Sequence, residues 1–307
     1  MSYLLFLLGF ILLIFGGHLL VRGASSLASR FNISPLVIGL TVMAFGTSAP
    51  ELMVSIMAAV QGHPDVAIGN VVGSNISNIA LVLSLTVIFR SINVRVQSVL
   101  IDWPVMLLAS VIFYVFCISN LKIERWEAAI LFIGILIYNV GIIRYERAKN
   151  KEIKEDNEQG VSLVRQLTEI AIGCLALAGG ANFLVDGAIV LAKDFGISER
   201  VISITLVAIG TSLPELTTSI IAALKKQTEM ALGNIIGSNI YNILCIIGIT
   251  GLITPIQINA KIIEFDIFWM LGFSLLIYPF MRIKWKLGTV SGIILFILYL
   301  TYIYLII

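Results

Sequence analysis

The chain consists of long apolar runs separated by short polar breaks. A transmembrane helix needs about 20 consecutive apolar residues. The pattern therefore predicts an all-α polytopic membrane protein with ten transmembrane helices, near residues 3–21, 35–60, 66–89, 98–118, 126–143, 164–185, 200–224, 230–253, 262–281 and 287–306. The first run has no basic leader and no obvious cleavage site after it. We interpret it as a membrane helix and not as a cleaved signal peptide.

The only strongly polar stretch follows the fifth predicted helix. We assign residues 144–163 to a solvated linker that is too short to fold as a domain. With this linker in the cytoplasm, fifteen of the twenty Lys and Arg residues fall on the cytoplasmic side and five on the outside. Because basic residues are enriched in cytoplasmic loops, we expect a multi-pass protein of the cell membrane with both termini outside.

The composition supports a membrane protein and limits its partners. Hydrophobic residues make up 59% of the chain and charged residues 12%, whereas soluble domains are roughly 45–50% apolar and about 25% charged. A net charge of +2 gives no reason to expect a nucleic-acid partner. The three cysteines lie far apart in apolar segments, so we expect packing roles for Cys117, Cys174 and Cys245 and neither a disulfide nor a metal site.

The sequence repeats itself at an offset of 164 residues. TVMAFGTSAPE (41–51) aligns with TLVAIGTSLPE (205–215), with seven of eleven residues identical. GNVVGSNISNI (69–79) aligns at the same offset with GNIIGSNIYNI (233–243), with eight of eleven identical. A constant offset over this distance indicates two homologous halves.

Each half, 1–143 and 164–307, contains five predicted helices. Because five is odd, the second half enters the membrane from the opposite face, which predicts an inverted-topology repeat. Secondary transporters use this architecture, with a substrate site near the midplane formed by interrupted helices. The motifs lie in the second and third helices of each half, so we expect the interruptions there.

Two carboxylates lie near the middle of predicted spans. Glu51 and Glu215 each occupy a position where a charge costs at least about 2–3 kcal/mol. Pro50 lacks the N–H that would bond to the carbonyl of Gly46, and Pro214 has the same effect in the second half. We expect short unwound segments whose free carbonyls line a cavity.

Polar side chains of both motifs repeat at intervals of four residues. Ser74 and Asn78 share a helix face, as do Ser238 and Asn242, and Thr47 and Thr211 each precede a glutamate by four residues. Asn75 and Asn239 point elsewhere, and we expect each to hydrogen-bond a neighbouring helix. Oxygen donors of this kind suit Ca²⁺, and also Na⁺, whereas softer metals favour imidazole or thiolate.

The paired motifs G-T-S-x-P-E and G-N-x-x-G-S-N resemble the repeats of the calcium/cation antiporter superfamily, specifically its prokaryotic-type sodium/calcium exchangers. The resemblance covers essentially the whole chain. It implies that Glu51 and Glu215 are the central cation ligands, joined at the calcium site by backbone oxygens of Thr47 and Thr211. It also implies flanking sodium sites and two amides facing the middle, which involve Ser48, Ser74, Ser212, Ser238, the backbone oxygens of Ala44 and Ala208, and the side chains of Asn78 and Asn242.

Two departures from the resemblance limit what it implies. Some archaeal and potassium-dependent relatives carry Asp at the position of Asn242, so two carboxylates here argue against a potassium-dependent mode. The 144–163 linker cannot hold the large cytoplasmic regulatory domain of the family, so we expect no calcium-sensing regulation of that kind.

The sequence thus predicts a secondary antiporter that exchanges Ca²⁺ for Na⁺ by alternating access. Its partners would be these two ions and the lipid bilayer, with no cofactor, and one monomer would suffice for transport. A Ca²⁺/H⁺ antiporter of the same superfamily is the alternative. An intramembrane enzyme using the glutamates as acid and base is a hypothesis from another class, but no nucleophile–base set or H-E-x-x-H motif accompanies them. A passive channel is a further hypothesis.

Overall fold

The computed structural model describes residues 2–149, 162–194 and 208–306. These residues are helical almost throughout, which confirms the predicted all-α class. We number the helices in chain order, with a and b for the parts of a broken helix: α1 Ser2–Arg30, α2a Pro35–Thr47, α2b Ala49–Val60, α3 Pro64–Phe89, α4 Ser98–Asn120, α5 Arg125–Lys149, α6 Leu163–Asp194, α7a Ala208–Thr211, α7b Leu213–Leu224, α8 Thr228–Ile253, α9 Ile262–Arg282 and α10 Thr289–Ile306.

Most of the predicted spans coincide with these helices. Within the described residues, eight helices are long and apolar enough to cross a membrane, and the bent pair of α2a and α2b raises the number to nine. The predicted span 200–224 is described only from Ala208 onward, and its earlier residues lie outside the described part. The predicted linker 144–163 is described only at its ends, where α5 continues to Lys149 and α6 begins at Leu163.

Two helices occupy the centre of the bundle. The most apolar stretches of α3 and α8 are 83% and 89% buried, whereas those of the other long helices are 22–33% buried. Large apolar side chains remain exposed along the outer helices, as expected where lipid covers them. The motif-bearing α3 and α8 are therefore shielded from the bilayer by the rest of the protein.

Several helices widen locally into π-helix, in which each N–H bonds to the carbonyl five residues before it. Two of these segments, Asn78–Leu83 in α3 and Asn242–Ile247 in α8, begin three residues after the last asparagine of G-N-x-x-G-S-N. The expectation that the third helix of each half is interrupted was wrong, because α3 and α8 are continuous spans. Neither has a proline past its first turn, so the local change is a wide turn and not a break.

The first helix of each half packs closely against the other. Gly9, Gly16 and Gly23 on α1 and their counterparts 164 residues later, Gly173, Gly180 and Gly187 on α6, line this contact. A Cβ atom on Gly16 would lie 2.8 Å from the carbonyl oxygen of Gly173, and one on Gly180 would lie 2.8 Å from the backbone nitrogen of Leu13. Small residues allow two helix backbones to approach this closely. Because Gly9 meets Gly180 whereas Gly16 meets Gly173, the two helices run antiparallel.

Two short antiparallel strand pairs join loops of different halves. The strand β1 (Ile92–Asn93) pairs with β4 (Lys286–Leu287), and β2 (Lys122–Ile123) pairs with β3 (Ile256–Gln257). Each strand of the second half lies 164 residues after one of the first, and the register repeats too. Ile92 lies opposite Leu287, and their counterparts in the repeat, Ile256 and Ile123, likewise lie opposite each other.

Candidate ion-binding site

The second helix of the first half breaks at its G-T-S-x-P-E motif. Ser48 leaves helical geometry with φ −87° and ψ 4°, and Pro50 lies in the first turn of α2b. The axes of α2a and α2b differ by 43°. The break in the second half is the same, because Ser212 has φ −90° and ψ 4° and precedes Pro214. These geometries confirm the interruptions that the prolines predict.

Each break places a glutamate in the first turn of the helix that follows. Glu51 and Glu215 are both fully buried, with 0% of their surface exposed. The two groups are neighbours, close enough for the charge of Glu215 to act on Glu51. Among the described residues no salt bridge joins either glutamate to a basic side chain. Since a buried charge needs a partner, this arrangement suits a cation.

Hydroxyl groups connect the break of each half to the third helix of the other half. The Thr47 Oγ1 lies 3.4 Å from Ser238 Oγ, and Thr211 Oγ1 lies 3.4 Å from Ser74 Oγ. These two contacts are equivalent under the repeat. Ser48 Oγ also donates to Glu215 Oε1 at 3.1 Å. The structure therefore brings predicted ligands of both halves into one buried cluster.

The two predicted amides lie on α3 and α8, four residues after Ser74 and Ser238. Asn78 and Asn242 are fully buried, and each begins a π-helical segment. The segment that begins at Asn78 packs against α7b, which carries Glu215, and the one that begins at Asn242 packs against α2b, which carries Glu51. Each half thus contributes an amide-bearing segment that packs against the glutamate-bearing helix of the other half.

The neighbouring asparagines differ from each other in their contacts. Asn75 hydrogen-bonds the neighbouring helix as expected, donating from Nδ2 to the backbone oxygen of Asn239 at 3.4 Å. The same expectation was wrong for Asn239, which donates from Nδ2 to Ile235 O, one turn earlier on its own helix, at 2.8 Å.

The predicted backbone ligands are described less fully. The carbonyl oxygen of Ala44 accepts the backbone N–H of Ser48 at 3.0 Å and the hydroxyl of Thr47 at 3.3 Å. Ala208 begins α7a, next to the residues outside the described part. Of the remaining predicted side chains, Ser74, Ser212 and Ser238 are buried, whereas Thr211 is half-buried.

The structure adds two polar residues that the sequence did not single out. Asn70 donates from Nδ2 to the backbone oxygen of Glu51 at 3.1 Å and to Ser55 Oγ at 2.9 Å. Its counterpart Asn234 donates to Ser219 Oγ at 3.1 Å and accepts from Thr47 Oγ1 at 3.3 Å. Both are the first asparagine of G-N-x-x-G-S-N. Their presence at the same position in both halves could have identified them from the sequence.

The donor set of the cluster consists of oxygens. Within the described residues no group of three or more His, Cys, Asp or Glu side chains could hold a metal ion. A cation here would meet two carboxylates together with neutral amide, hydroxyl and carbonyl oxygens. Such a set suits the hard cations, Ca²⁺ in particular, which takes about 6–8 oxygen ligands.

The family of this architecture is recognisable from the sequence. A model of the sodium/calcium exchanger protein family matches residues 1–144 and 167–307. The chain is 37% identical to a putative antiporter, CaxA, of Alkalimonas amylolytica, over 97% of this chain and 96% of that protein. It is 30% identical to the sodium/calcium exchanger MaX1 of Methanosarcina acetivorans, over 98% of this chain and 97% of that protein.

Solved structures of the sodium-calcium exchanger NCX_Mj share the fold. One, from a crystal soaked with 10 mM Na⁺ and 10 mM Sr²⁺, superposes with a TM-score of 0.84 at 36% identity and covers 99% of this chain and 97% of that one. Another, soaked with zero Na⁺ and Ca²⁺, gives a TM-score of 0.85 at 35% identity, over 100% of this chain and 99% of that one.

Proposed function

The chain belongs to the sodium/calcium exchanger protein family, and from this premise we propose that it exchanges Ca²⁺ for Na⁺ across the cell membrane by alternating access. One observation carries the proposal. Glu51 and Glu215, one from each half, are fully buried side by side without a basic partner among the described residues. A cation antiporter of the family accounts for this arrangement, and the neighbouring hydroxyls and amides favour Na⁺ as the exchanged ion.

The proposed ligands follow the resemblance residue by residue. Glu51 and Glu215 would bind Ca²⁺ together with the backbone oxygens of Thr47 and Thr211. The flanking sodium sites and the two central amides would be formed by Ser48, Ser74, Ser212, Ser238, the carbonyls of Ala44 and Ala208, and the side chains of Asn78 and Asn242. The hydroxyl contacts between the halves support this assignment because they already bring Thr47 to Ser238 and Ser74 to Thr211.

The charge of the site explains why exchange is favoured over uncoupled leakage. Two ionised carboxylates repel each other in a medium of low dielectric constant, and an isolated buried charge is costly. One Ca²⁺ or several Na⁺ ions would neutralise the pair, but not both kinds of ion at once. The site would therefore move between the two faces mainly with ions bound, which couples the two fluxes.

We further propose ten spans in two inverted halves. The antiparallel packing of α1 and α6, which are counterparts in the repeat, supports the inversion. The strand pairs support it as well, because β1 and β2 lie at opposite ends of α4 while their counterparts β3 and β4 pair crosswise with them. Since one chain supplies both glutamates, we propose that a monomer suffices for transport.

The proposed sidedness places the linker in the cytoplasm and both termini outside. Two salt bridges join helix ends that this arrangement puts on one face, whereas the choice of which face is cytoplasmic rests on the distribution of Lys and Arg. Arg22, near the end of α1, bonds Glu169, near the start of α6, at 2.6 Å, and Arg95, after α3, bonds Glu229, at the start of α8, at 2.6 Å.

Transport by reconstituted protein tests the function. Proteoliposomes loaded with Na⁺ are expected to accumulate ⁴⁵Ca²⁺ when diluted into Na⁺-free medium, and Glu51→Gln and Glu215→Gln are each expected to abolish this uptake. Glu264→Gln removes an exposed carboxylate outside the site and serves as the control. Uptake that does not depend on the Na⁺ gradient would refute Na⁺ coupling, and uptake driven by a pH gradient alone would identify the protein as a Ca²⁺/H⁺ antiporter.

A further inference from the structure

Three asparagines form a hydrogen-bonded chain across the interface of the two halves. Asn75 Nδ2, on α3, donates to the backbone oxygen of Asn239, on α8, at 3.4 Å. The other end of the same amide, Asn75 Oδ1, accepts from Asn242 Nδ2 at 3.0 Å. Asn75 and Asn242 are 1% and 0% exposed, so no bulk water competes for these bonds.

The backbone carbonyl of Asn239 determines which end of each amide in this hydrogen-bonded series donates and which accepts. A carbonyl oxygen can only accept, so the Asn75 atom facing Asn239 has to be the NH₂ group. This leaves Asn75 Oδ1 to face Asn242, and an oxygen there requires the NH₂ group of Asn242 in turn. Asn75 Nδ2 also lies 3.7 Å from the sulfur of Met270, a second acceptor that favours the same orientation.

With these orientations fixed, Asn242 Oδ1 is the last atom of the hydrogen-bonded series of asparagines. This oxygen is buried and has no hydrogen-bond partner among the described residues. It belongs to the residue that begins the π-helical segment packed against α2b, the helix of Glu51. A buried amide oxygen that has no hydrogen-bond partner is a suitable ligand for a hard cation.

The equivalent amide of the first half is not fixed in this way. Neither Oδ1 nor Nδ2 of Asn78 has a hydrogen-bond partner in the described part of the chain. Asn239, the counterpart of Asn75, bonds within its own helix instead of reaching Asn78. The two halves are therefore similar in sequence at these positions but differ in how the amide is held.

We propose that Asn75 is a positioning residue of the ion site, which holds the Asn242 amide so that its oxygen, and not its NH₂ group, faces the bound cation. The inference rests on the proposed function, since it concerns the ion that Glu51 and Glu215 would bind. Without Asn75, the Asn242 amide can rotate and present its NH₂ group, whose partial positive charge repels a cation. Asn75 would thus set ion affinity without touching the ion.

The main test compares Asn75→Ala with Asn239→Ala in Na⁺-driven ⁴⁵Ca²⁺ uptake. Asn75→Ala is expected to raise the KM for Ca²⁺ roughly five- to tenfold, with a smaller effect on the maximal rate, as removal of one hydrogen bond of this kind allows. Asn239→Ala removes a side chain of the same type but keeps the backbone oxygen that anchors the chain, so its KM is expected to stay within about twofold of wild type. An unchanged KM for Asn75→Ala in protein whose uptake is Na⁺-driven would overturn the positioning role alone, whereas absent uptake by wild type would overturn the proposed function.

A second background separates positioning from a general structural role. Aspartate in Asn242→Asp presents oxygen whichever way it is rotated, so adding Asn75→Ala there is expected not to raise the KM further. An equal rise in both backgrounds would mean that Asn75 acts only on packing and would overturn the proposal. If Asn75→Ala does not yield folded protein, Asn75→Leu carries the test, since leucine has a similar volume but offers neither a donor to Asn239 O nor an acceptor to Asn242 Nδ2. A raised KM for Asn75→Leu would support the proposal, and a KM equal to that of wild type would overturn it.

Discussion

At the scale of single residues, the two central glutamates are equivalent in the sequence but not in their surroundings. Glu215 Oε1 accepts a hydrogen bond from Ser48 Oγ at 3.1 Å. The corresponding hydroxyl of Ser212 is buried and makes no such bond within the described residues, and neither do the carboxylate oxygens of Glu51. Because a hydrogen bond to a charged group contributes about 1.5–3 kcal/mol, the two halves hold their carboxylates with different strength.

Ser48→Ala and Ser212→Ala are therefore expected to differ in stability when no ion is bound. Ser48→Ala should lower the free energy of unfolding by about 1.5–3 kcal/mol, because Glu215 loses a donor, and Ser212→Ala should have a smaller effect. Thermal unfolding of the purified variants in Na⁺-free medium with a calcium chelator measures the difference. Equal destabilisation by the two substitutions would contradict this account.

The repeat predicted that polar residues of both halves meet at one centre, but the hydrogen bonds between them could not be predicted. The spacing of Thr47 and Glu51 predicted a shared helix face, whereas the helix breaks between them at Ser48. The donor and acceptor ends of Asn75 and Asn239 depend on which backbone carbonyl of the other half lies opposite, and no local pattern encodes that. The structure consequently corrected the expectation for Asn239 and added Asn70 and Asn234.

At the scale of helices, a carboxylate–tyrosine pair joins the fourth and fifth helices of each half. Tyr138 donates to Asp102 Oδ1 at 3.3 Å, and Tyr302 donates to Asp266 Oδ1 at 2.9 Å. The two pairs are counterparts at the offset of 164 residues. Asp102 is fully buried, whereas Asp266 is half-buried, so water can replace a lost partner more readily in the second half.

Tyr138→Phe is accordingly expected to destabilise the protein more than Tyr302→Phe. Loss of a donor to a fully buried carboxyl group costs about 1–3 kcal/mol, and water reduces this cost where the group is partly exposed. Thermal unfolding in detergent, with both variants in the same buffer, provides the comparison. A larger effect of Tyr302→Phe would mean that burial does not control the strength of these pairs.

The glycine-lined contact of α1 and α6 predicts strict size limits. Leucine at Gly16 would collide with the backbone of α6, since even a Cβ atom lies 2.8 Å from Gly173 O and 2.9 Å from Leu177 N. Backbone atoms cannot move aside as a side chain can, so the cost should exceed the roughly 1–3 kcal/mol typical of overpacking. Gly141→Leu is the matched control, because nothing described lies within 4 Å of a Cβ atom on that glycine of α5.

Gel filtration and thermal unfolding of the two leucine variants test this limit. Gly16→Leu is expected to give little folded protein or a strongly lowered unfolding temperature, whereas Gly141→Leu should resemble wild type. Wild-type stability of Gly16→Leu would mean that α1 and α6 are not held in close contact.

The apolar pattern predicted where helices lie better than how they are wound. Runs of apolar residues located α3 and α8 within a few residues, because the thickness of the bilayer sets their length. The π-helical segments at Asn78 and Asn242 were not predicted, since a single wide turn leaves no proline or glycine signature in the sequence. Pro50 and Pro214 do leave one, and the breaks in α2 and α7 were predicted correctly.

At the scale of the whole molecule, the candidate site draws on residues of both halves. Each half supplies one glutamate, and the serine or threonine that contacts it or its break comes from the other half. A single half on its own would lack the hydroxyl groups that the other half supplies. The duplication thus explains both the two repeated motifs and the two carboxylates at one centre.

The crosswise strand pairs make the inversion testable through two exposed residues. Asn93 and Gln257 are counterparts in the repeat, and both are exposed, on β1 and β3 respectively. If the halves are inverted, Asn93 faces the cytoplasm and Gln257 faces the outside, although their sequence environments correspond. Parallel halves would instead put both residues on the same face.

Single cysteines at these two positions provide the measurement, in a background where Cys117, Cys174 and Cys245 are replaced by alanine. Asn93→Cys is expected to react with a membrane-impermeant maleimide only in inside-out vesicles, and Gln257→Cys only in right-side-out cells. Lys286→Cys, on the strand paired with β1, should follow Asn93→Cys, because hydrogen-bonded neighbours share a face. Labelling of Asn93→Cys and Gln257→Cys from the same side would refute the inverted repeat. Labelling of each from the side opposite to that expected would preserve the inversion but reverse the assigned orientation, placing the basic loops outside against the usual distribution of Lys and Arg.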